Sequence, residues 1–178
     1  MIPIQTLSTT IDELLVAGLS PAETLDEVVR CVGTALNADR CFLYVRQPDQ
    51  ERGRTAFCWR KNEDIPDKNT IQPNWQPDTD TLPAEDPLIR AGLAMKPSVY
   101  IDDVETAGSD VLNRDFERKT FGHRALIHAH IQQDNKLWGI LQPCLFGNPR
   151  HWTDEEKAQI EVILPRLQPV IEAYVTSA

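Results

Sequence analysis

The sequence predicts an α+β domain, and three observations predict it. Amphipathic helical stretches occupy both ends of the chain, over residues 4–36 and 153–174. Two strand–turn–strand stretches lie between them, over residues 41–59 and 124–145. A polar segment at residues 61–84, with Pro66, Pro73, Pro77 and Pro83 spread through it, separates the two. A connection that long inside a compact unit serves a function or moves.

The whole chain of 178 residues has the length of one domain with a full core and shows no internal repeat. The formal net charge of -9 and the absence of a Lys/Arg cluster disfavour a nucleic-acid partner, whose phosphates need a basic footprint. No apolar run approaches the ~20 residues of a membrane span, and the first residues lack the basic and apolar regions of a secretion signal. Cys31, Cys41, Cys58 and Cys144 are widely spaced and form no CxxC pair. They read as reduced thiols, which with the rest predicts a cytoplasmic protein with no membrane partner.

Ile4, Leu7, Ile11, Leu14 and Leu15 recur at helical spacing, with Thr10 and Glu13 as a capping box and Gly18 at the end. Ser20 opens a second helix, with Pro21 at its first position and Glu23 completing a box. Leu25, Val28, Val29, Val32 and Leu36 form its stripe, and Asn37 ends it. Residues 41–45 and 55–59 then read as a hairpin. Asp86 and Pro87 start a short helix through Leu88, Ile89 and Leu93, and Val99, Tyr100 and Ile101 make a short strand before Asp102 and Asp103. Residues 109–120 favour a helix with Val111, Leu112 and Phe116 inward. Thr153 and Glu156 cap the last helix, where Pro165 and Pro169 predict a kink or break near Leu164.

Specific residues carry a family resemblance. LNADRCFLYVR at residues 36–46, KPSVYIDDV at 96–104, and HRALIHAHI, KLWGIL and PRHW within 123–152 resemble GAF domains, and the resemblance implies a single domain with its core at about residues 14–174. The final hairpin is most similar to the phytochrome-like and cyanobacteriochrome GAF domains of cyanobacteria. The resemblance implies an antiparallel sheet of about six strands, terminal helices on one face, and loops with short helices roofing a ligand pocket on the other. It also implies a homodimer joined through the terminal helices, whose stripes a monomer would have to hide, and an unidentified signalling partner.

Bilin-binding relatives attach their chromophore through a Cys-His pair ahead of the hairpin; the ungapped match places Asn113 and Arg114 there. An amide cannot form the thioether, so a covalent bilin is disfavoured and a non-covalent tetrapyrrole stays open. Where relatives carry a histidine packed on the pigment, this chain has Cys144. A two-residue turn at Asp134-Asn135 pairs Cys144 with Ala125 and Ile140 with Ala129. Ala125, Ile127, Ala129, Ile131, Trp138, Ile140, Gln142 and Cys144 then face the pocket, with Asp102, Asn113 and Arg114 as further candidate ligand contacts. His128 and His130 fall on the opposite face as buried histidines, and a one-residue slip would reverse the faces. No further ligand at metal spacing joins them, so no metal is expected.

These readings favour a non-catalytic sensory or regulatory module, with ligand or without. One alternative is a thiol-dependent enzyme resembling free methionine-R-sulfoxide reductase, in which Cys58 and Cys144 meet in space. The other is a dimerisation or interaction scaffold. No Ser/His/Asp set, P-loop or HExxH motif is present.

Overall fold

The computed structural model describes residues 4–67, 72–78 and 82–177. Residues 68–71 and 79–81 of the long connection lie outside the described residues, as do the side chains of Ile4, Gln5, Leu82 and Pro83. The element order is α1 (Ile4–Leu15), α2 (Pro21–Ala35), β1 (Arg40–Gln47), β2 (Arg52–Arg60), β3 (Gln76–Pro77), α3 (Leu82–Glu85), α4 (Pro87–Leu93), β4 (Val99–Ile101), α5 (Arg114–Thr120), β5 (Ala125–Gln133), β6 (Lys136–Leu145) and α6 (Asp154–Thr176). The strands form one six-stranded antiparallel sheet in the order β3-β2-β1-β6-β5-β4. This is the α+β architecture that the sequence predicts.

Local chemistry explains the ends of the helices. Ser20 Oγ accepts from Glu23 N at 3.2 Å while Ser20 N donates to the Glu23 carboxylate at 2.9 Å. Thr153 and Glu156 repeat the exchange at 3.1 and 2.9 Å. Each box satisfies two amides that a helix start would otherwise leave bare. Asn37 takes a left-handed φ of 50° just beyond α2, as its place there predicts. Thr10 does not cap anything: α1 begins at Ile4, and the Thr10 hydroxyl donates to Thr6 O at 2.8 Å inside the helix. The stripe of Leu7 and Ile11 continues through that point and outweighs the local cap signal. The helix foreseen at 109–120 is shorter, because Asn113 caps it by accepting from Phe116 N at 3.1 Å.

One sheet face carries Cys41, Leu43, Val45, Ala125, Ile127, Ala129, Ile131 and Leu141 into the main core. There they meet Leu7 and Ile11 of α1, Leu25, Val28 and Val32 of α2, and Ile160, Ile163, Leu167 and Ile171 of α6. The terminal stripes assigned to a dimer are therefore occupied within the chain. Val16, Leu19 and Val162 remain as exposed large apolar residues among the described ones, at 84%, 42% and 43%.

Of the kink or break expected near Leu164, the break does not occur: helix α6 runs continuously through Pro165 and Pro169. Both prolines lie on its exposed side, as does Glu161. The carbonyls that lose a donor, those of Glu161 and Pro165, therefore sit where water reaches them, and the buried stripe carries the helix across. Pro165→Ala should restore one intrahelical bond and raise stability by about 2–3 kcal/mol. Urea denaturation checks this, and an unchanged midpoint would mean the helix has already absorbed the lost bond.

Candidate functional site

The β5–β6 hairpin determines what the opposite sheet face presents. Its turn is the expected one: Asp134 and Asn135 both have left-handed φ, at 54° and 59°. Gln133 pairs with Lys136 and Gln132 with Leu137, as a two-residue turn requires. The register then shifts at Ile131/Gln132, so that Ile131 pairs with Gly139, His130 with Ile140 and Ala129 with Leu141. Trp138 is the extra residue of this β-bulge. Beyond it every pair is offset by one from the reading of the turn alone, and Cys144 faces Leu126 rather than Ala125.

That slip corrects five of the expected pocket residues. Ala125, Ile127, Ala129, Ile131 and Trp138 belong to the core beneath the helices. Ile140 and Gln142 do reach the other face, joined by His128 and His130. Gly139, brought beneath α6, has room for no side chain: a Cβ there would stand 2.8 Å from Tyr44 O and 3.2 Å from Ile171 Cδ1.

On that face a cavity of about 160 Å³ lies between sheet and roof. Phe42 and Tyr44 of β1, Thr55 of β2, His128 of β5, and Ile140 and Gln142 of β6 form its floor. Asp86 and Ile89 at the start of α4, Thr120 and Phe121 at the end of α5, and Gln72 from the long connection form its roof. Several ties hold this roof down. Gln72 N donates to Thr55 O at 2.9 Å, Arg54 to Pro73 O at 3.0 Å, and Arg52 and Arg54 stack on Trp75 at 5.4 and 5.1 Å.

Buried polar side chains shape the cavity's chemistry. His128 Nδ1 lies 2.8 Å from His130 Nε2, and His130 Nδ1 lies 2.8 Å from Lys96 O. Burial depresses the pKa of both rings, that of His128 well below its ordinary value, with the neighbouring imidazole adding to the effect. Gln142 is 4% exposed, and its side-chain amide has no hydrogen-bond partner among the described residues. Asp86 caps α4 through Leu88 N at 3.0 Å, and burial pushes its carboxyl up to about 6.

The other expected residues have structural work elsewhere. Asp102 binds Trp152 N at 3.2 Å and His151 Nδ1 at 2.7 Å, holding the chain where it enters α6. Asn113 caps α5 and donates to Glu85 O at 2.9 Å, while Arg114 reaches Val104 O at 3.3 Å. These two line a separate open cleft of about 550 Å³ with Arg90 and Arg118. Cys144, expected in the pocket, does not line the cavity; it packs with Leu88, Leu126 and Val104, its thiol 3.5 Å from Arg40 O. Arg40 is buried there too, donating to Pro66 O and to His123 Nε2 and stacked on Phe146 at 4.9 Å. His123 Nδ1 in turn faces Glu117 Oε1 at 2.5 Å.

The thiol pair fails on geometry. Cys58 pairs with Phe42, and Cys144 pairs with Arg40 on the far side of β1. Two strand spacings amount to about 9.5 Å, beyond the ~7 Å limit between Cα atoms for a disulfide. All four cysteines are free. Among the described residues no three His, Cys, Asp or Glu side chains gather to hold a metal ion, and no helix is long and apolar enough to cross a membrane.

Phe42, Tyr44, Thr55, Asp86 and Phe121 were not foreseen in the site. Alternation along β1 was the available signal, since Phe42 and Tyr44 share one face and Cys41, Leu43 and Val45 the other.

Comparison with known proteins gives the same architecture. GAF3 from Slr1393 of Synechocystis is 27% identical, with a TM-score of 0.67 over 89% of this chain and 98% of that one. The phycoerythrobilin-bound GAF domain from a cyanobacterial phytochrome is 16% identical, with a TM-score of 0.76 over 100% of both chains. The GAF domain from an Acinetobacter phosphoenolpyruvate-protein phosphotransferase is 14% identical, with a TM-score of 0.72 over 98% and 96%. No curated protein matches the chain. The GAF domain profile matches residues 20–167, most of the chain, with both hairpins and the cavity inside it. The chain belongs to the GAF domain family.

Proposed function

We propose that this chain is a sensory or regulatory GAF module that holds a small molecule non-covalently in the cavity and works as a homodimer. GAF domains are generically regulatory or sensory modules rather than catalysts. The observation that carries the ligand reading is the roofed cavity, with buried polar groups among apolar walls.

Its size argues for the class of occupant. Pockets for drug-sized ligands run to about 300–1,000 Å³, whereas one of about 150 Å³ holds benzene. At about 160 Å³ this cavity suits a single ring and not four linked pyrroles. No cysteine lines it. Asn113 and Arg114, in the positions that resemble the family's attachment pair, are engaged in capping and in carbonyl contacts. A free-thiol protein of this kind fits a reducing compartment such as the cytoplasm.

Expression in a host that makes biliverdin and phycocyanobilin tests the pigment half. The expected product is colourless, with the mass of the bare polypeptide under denaturing conditions. A visible band or an adduct mass would overturn the reading. The dimer half rests on exposed Val162 on α6, with Val16 and Leu19 beyond α1. Sedimentation equilibrium should give a dimer whose dissociation constant rises at least about ten-fold in Val162→Glu. A monomeric wild type would remove the homodimer.

A further inference from the structure

The two histidines form a relay that fixes the polarity of the cavity wall. Lys96 O can only accept, so the proton on His130 sits on Nδ1. A neutral His130 then accepts at Nε2, so His128 must donate from Nδ1. What remains is His128 Nε2, bare and acceptor-only, on a ring that lines the cavity and is 4% exposed. No hydrogen bond reaches this nitrogen among the described residues.

The other wall groups agree in sign. Asp86 lines the same space and its carboxylate makes no salt bridge among the described residues, Arg90 acting on it only as a weak, more distant charge. Among the described residues lining the cavity, none is a lysine or arginine. Arg40 stands 5.6 Å from the Phe42 ring centroid, and its guanidinium is taken up by Pro66 O and His123. The rings of Phe42, Tyr44 and Phe121 add aromatic surface, which favours positive charge at its faces.

We propose that the cavity selects a compact planar N–H donor bearing positive charge, of the amidine or protonated amino-heterocycle class, and rejects carboxylates and phosphates. One edge of the ligand donates to His128 Nε2 and the Asp86 carboxylate, while its ring packs between Phe42 and Phe121. The free amide of Gln142 meets either a donor or an acceptor on the remaining edge. Selection against anions follows from the same groups, because a carboxylate would face two acceptors and an aromatic wall with no donor charge to offset its lost water. This inference rests on the cavity being a ligand site.

Benzamidine, benzamide and benzoate share one shape and differ in charge, so titrating the full chain with each by calorimetry at pH 7.5 separates polarity from size. Benzamidine should bind about ten-fold or more tightly than benzamide, the margin of a charge-assisted hydrogen bond, with no measurable benzoate binding. Asp86→Asn keeps a capping side chain and removes the charge. It should bring benzamidine down to the level of benzamide and leave benzamide unchanged. In imidazole nitrogen NMR spectra, His128 Nε2 should read as unprotonated in the free protein and move when benzamidine binds. Equal binding of all three probes, or preference for benzoate, overturns the polarity while leaving the cavity a ligand site. Failure of every probe overturns both.

Discussion

Trp152→Ala should lower the stability of the chain by about 3–5 kcal/mol, the range for truncating a buried tryptophan. The indole is fully buried within the main core. Its Nε1–H donates to Ile101 O at 3.1 Å, the guanidinium of Arg150 covers its ring at 4.5 Å, and its backbone amide donates to Asp102 at 3.2 Å. Arg150 continues the link by donating to Leu36 O and to the Glu156 carboxylate. One side chain therefore ties the edge strand β4, the end of α2 and the start of α6 together. Its loss leaves a cavity, an unpaired carbonyl and an uncovered arginine at once. Trp152→Phe keeps most of the ring and loses the N–H, so it should cost about 1–2 kcal/mol. Denaturant unfolding of both variants checks the pair. An alanine variant within 1 kcal/mol of wild type would mean that this corner does not hold the sheet to α6.

The sequence made the scaffold legible wherever one residue type had one local task. Ser20 with Glu23, and Thr153 with Glu156, mark helix starts because those side chains reach their own amides. Asp134-Asn135 marks the hairpin because few residues accept two consecutive left-handed φ values. The site was less legible because it depends on a bulge. Nothing in LWGI announces that Trp138 is the extra residue, yet that single offset sends Ala125, Ile127 and Ala129 to the helices and turns His128 to the cavity. A period of two makes such an error total for one strand and invisible in its composition. The break expected at Pro165 failed for a different reason. A proline penalty is a local quantity, and here the buried stripe on the other side of α6 exceeds it.

Asp102 and Asp86 show how far a residue's type alone can mislead. Both are aspartates next to a short element, and Asp102 looked like the contact for a ligand. Its two oxygens are taken by Trp152 N and His151, which makes it a corner brace. Asp86 read only as a helix cap. Its cap is real, but the carboxylate is also a buried charge at a cavity, with no salt-bridge partner among the described residues.

That charge should make the stability of the chain depend on pH in a predictable direction. Burial is the main cause that raises the Asp86 carboxyl from an ordinary 3.8 to about 6, against the lowering pull of the Leu88 amide. A carboxyl whose pKa is higher in the folded state binds its proton more tightly there than in the unfolded chain. Its favourable contribution is therefore complete below about pH 4 and disappears as the pH rises through 6. Two pK units correspond to about 3 kcal/mol, so at pH 7.5 the ionised side chain costs the fold on that order. Asp86→Asn keeps a side chain able to accept from Leu88 N and removes the ionisation. It should gain about 1–3 kcal/mol at pH 7.5 and nothing at pH 4, measured by urea unfolding at both values. A gain that is the same at both would trace to packing and not to charge, and no gain at pH 7.5 would mean the carboxylate is already compensated. If the charge is kept for a ligand, benzamidine should stabilise the wild type more at pH 7.5 than at pH 4, and the variant equally at both. A buried anion retained at such a cost is expected where function, rather than stability, selects the residue.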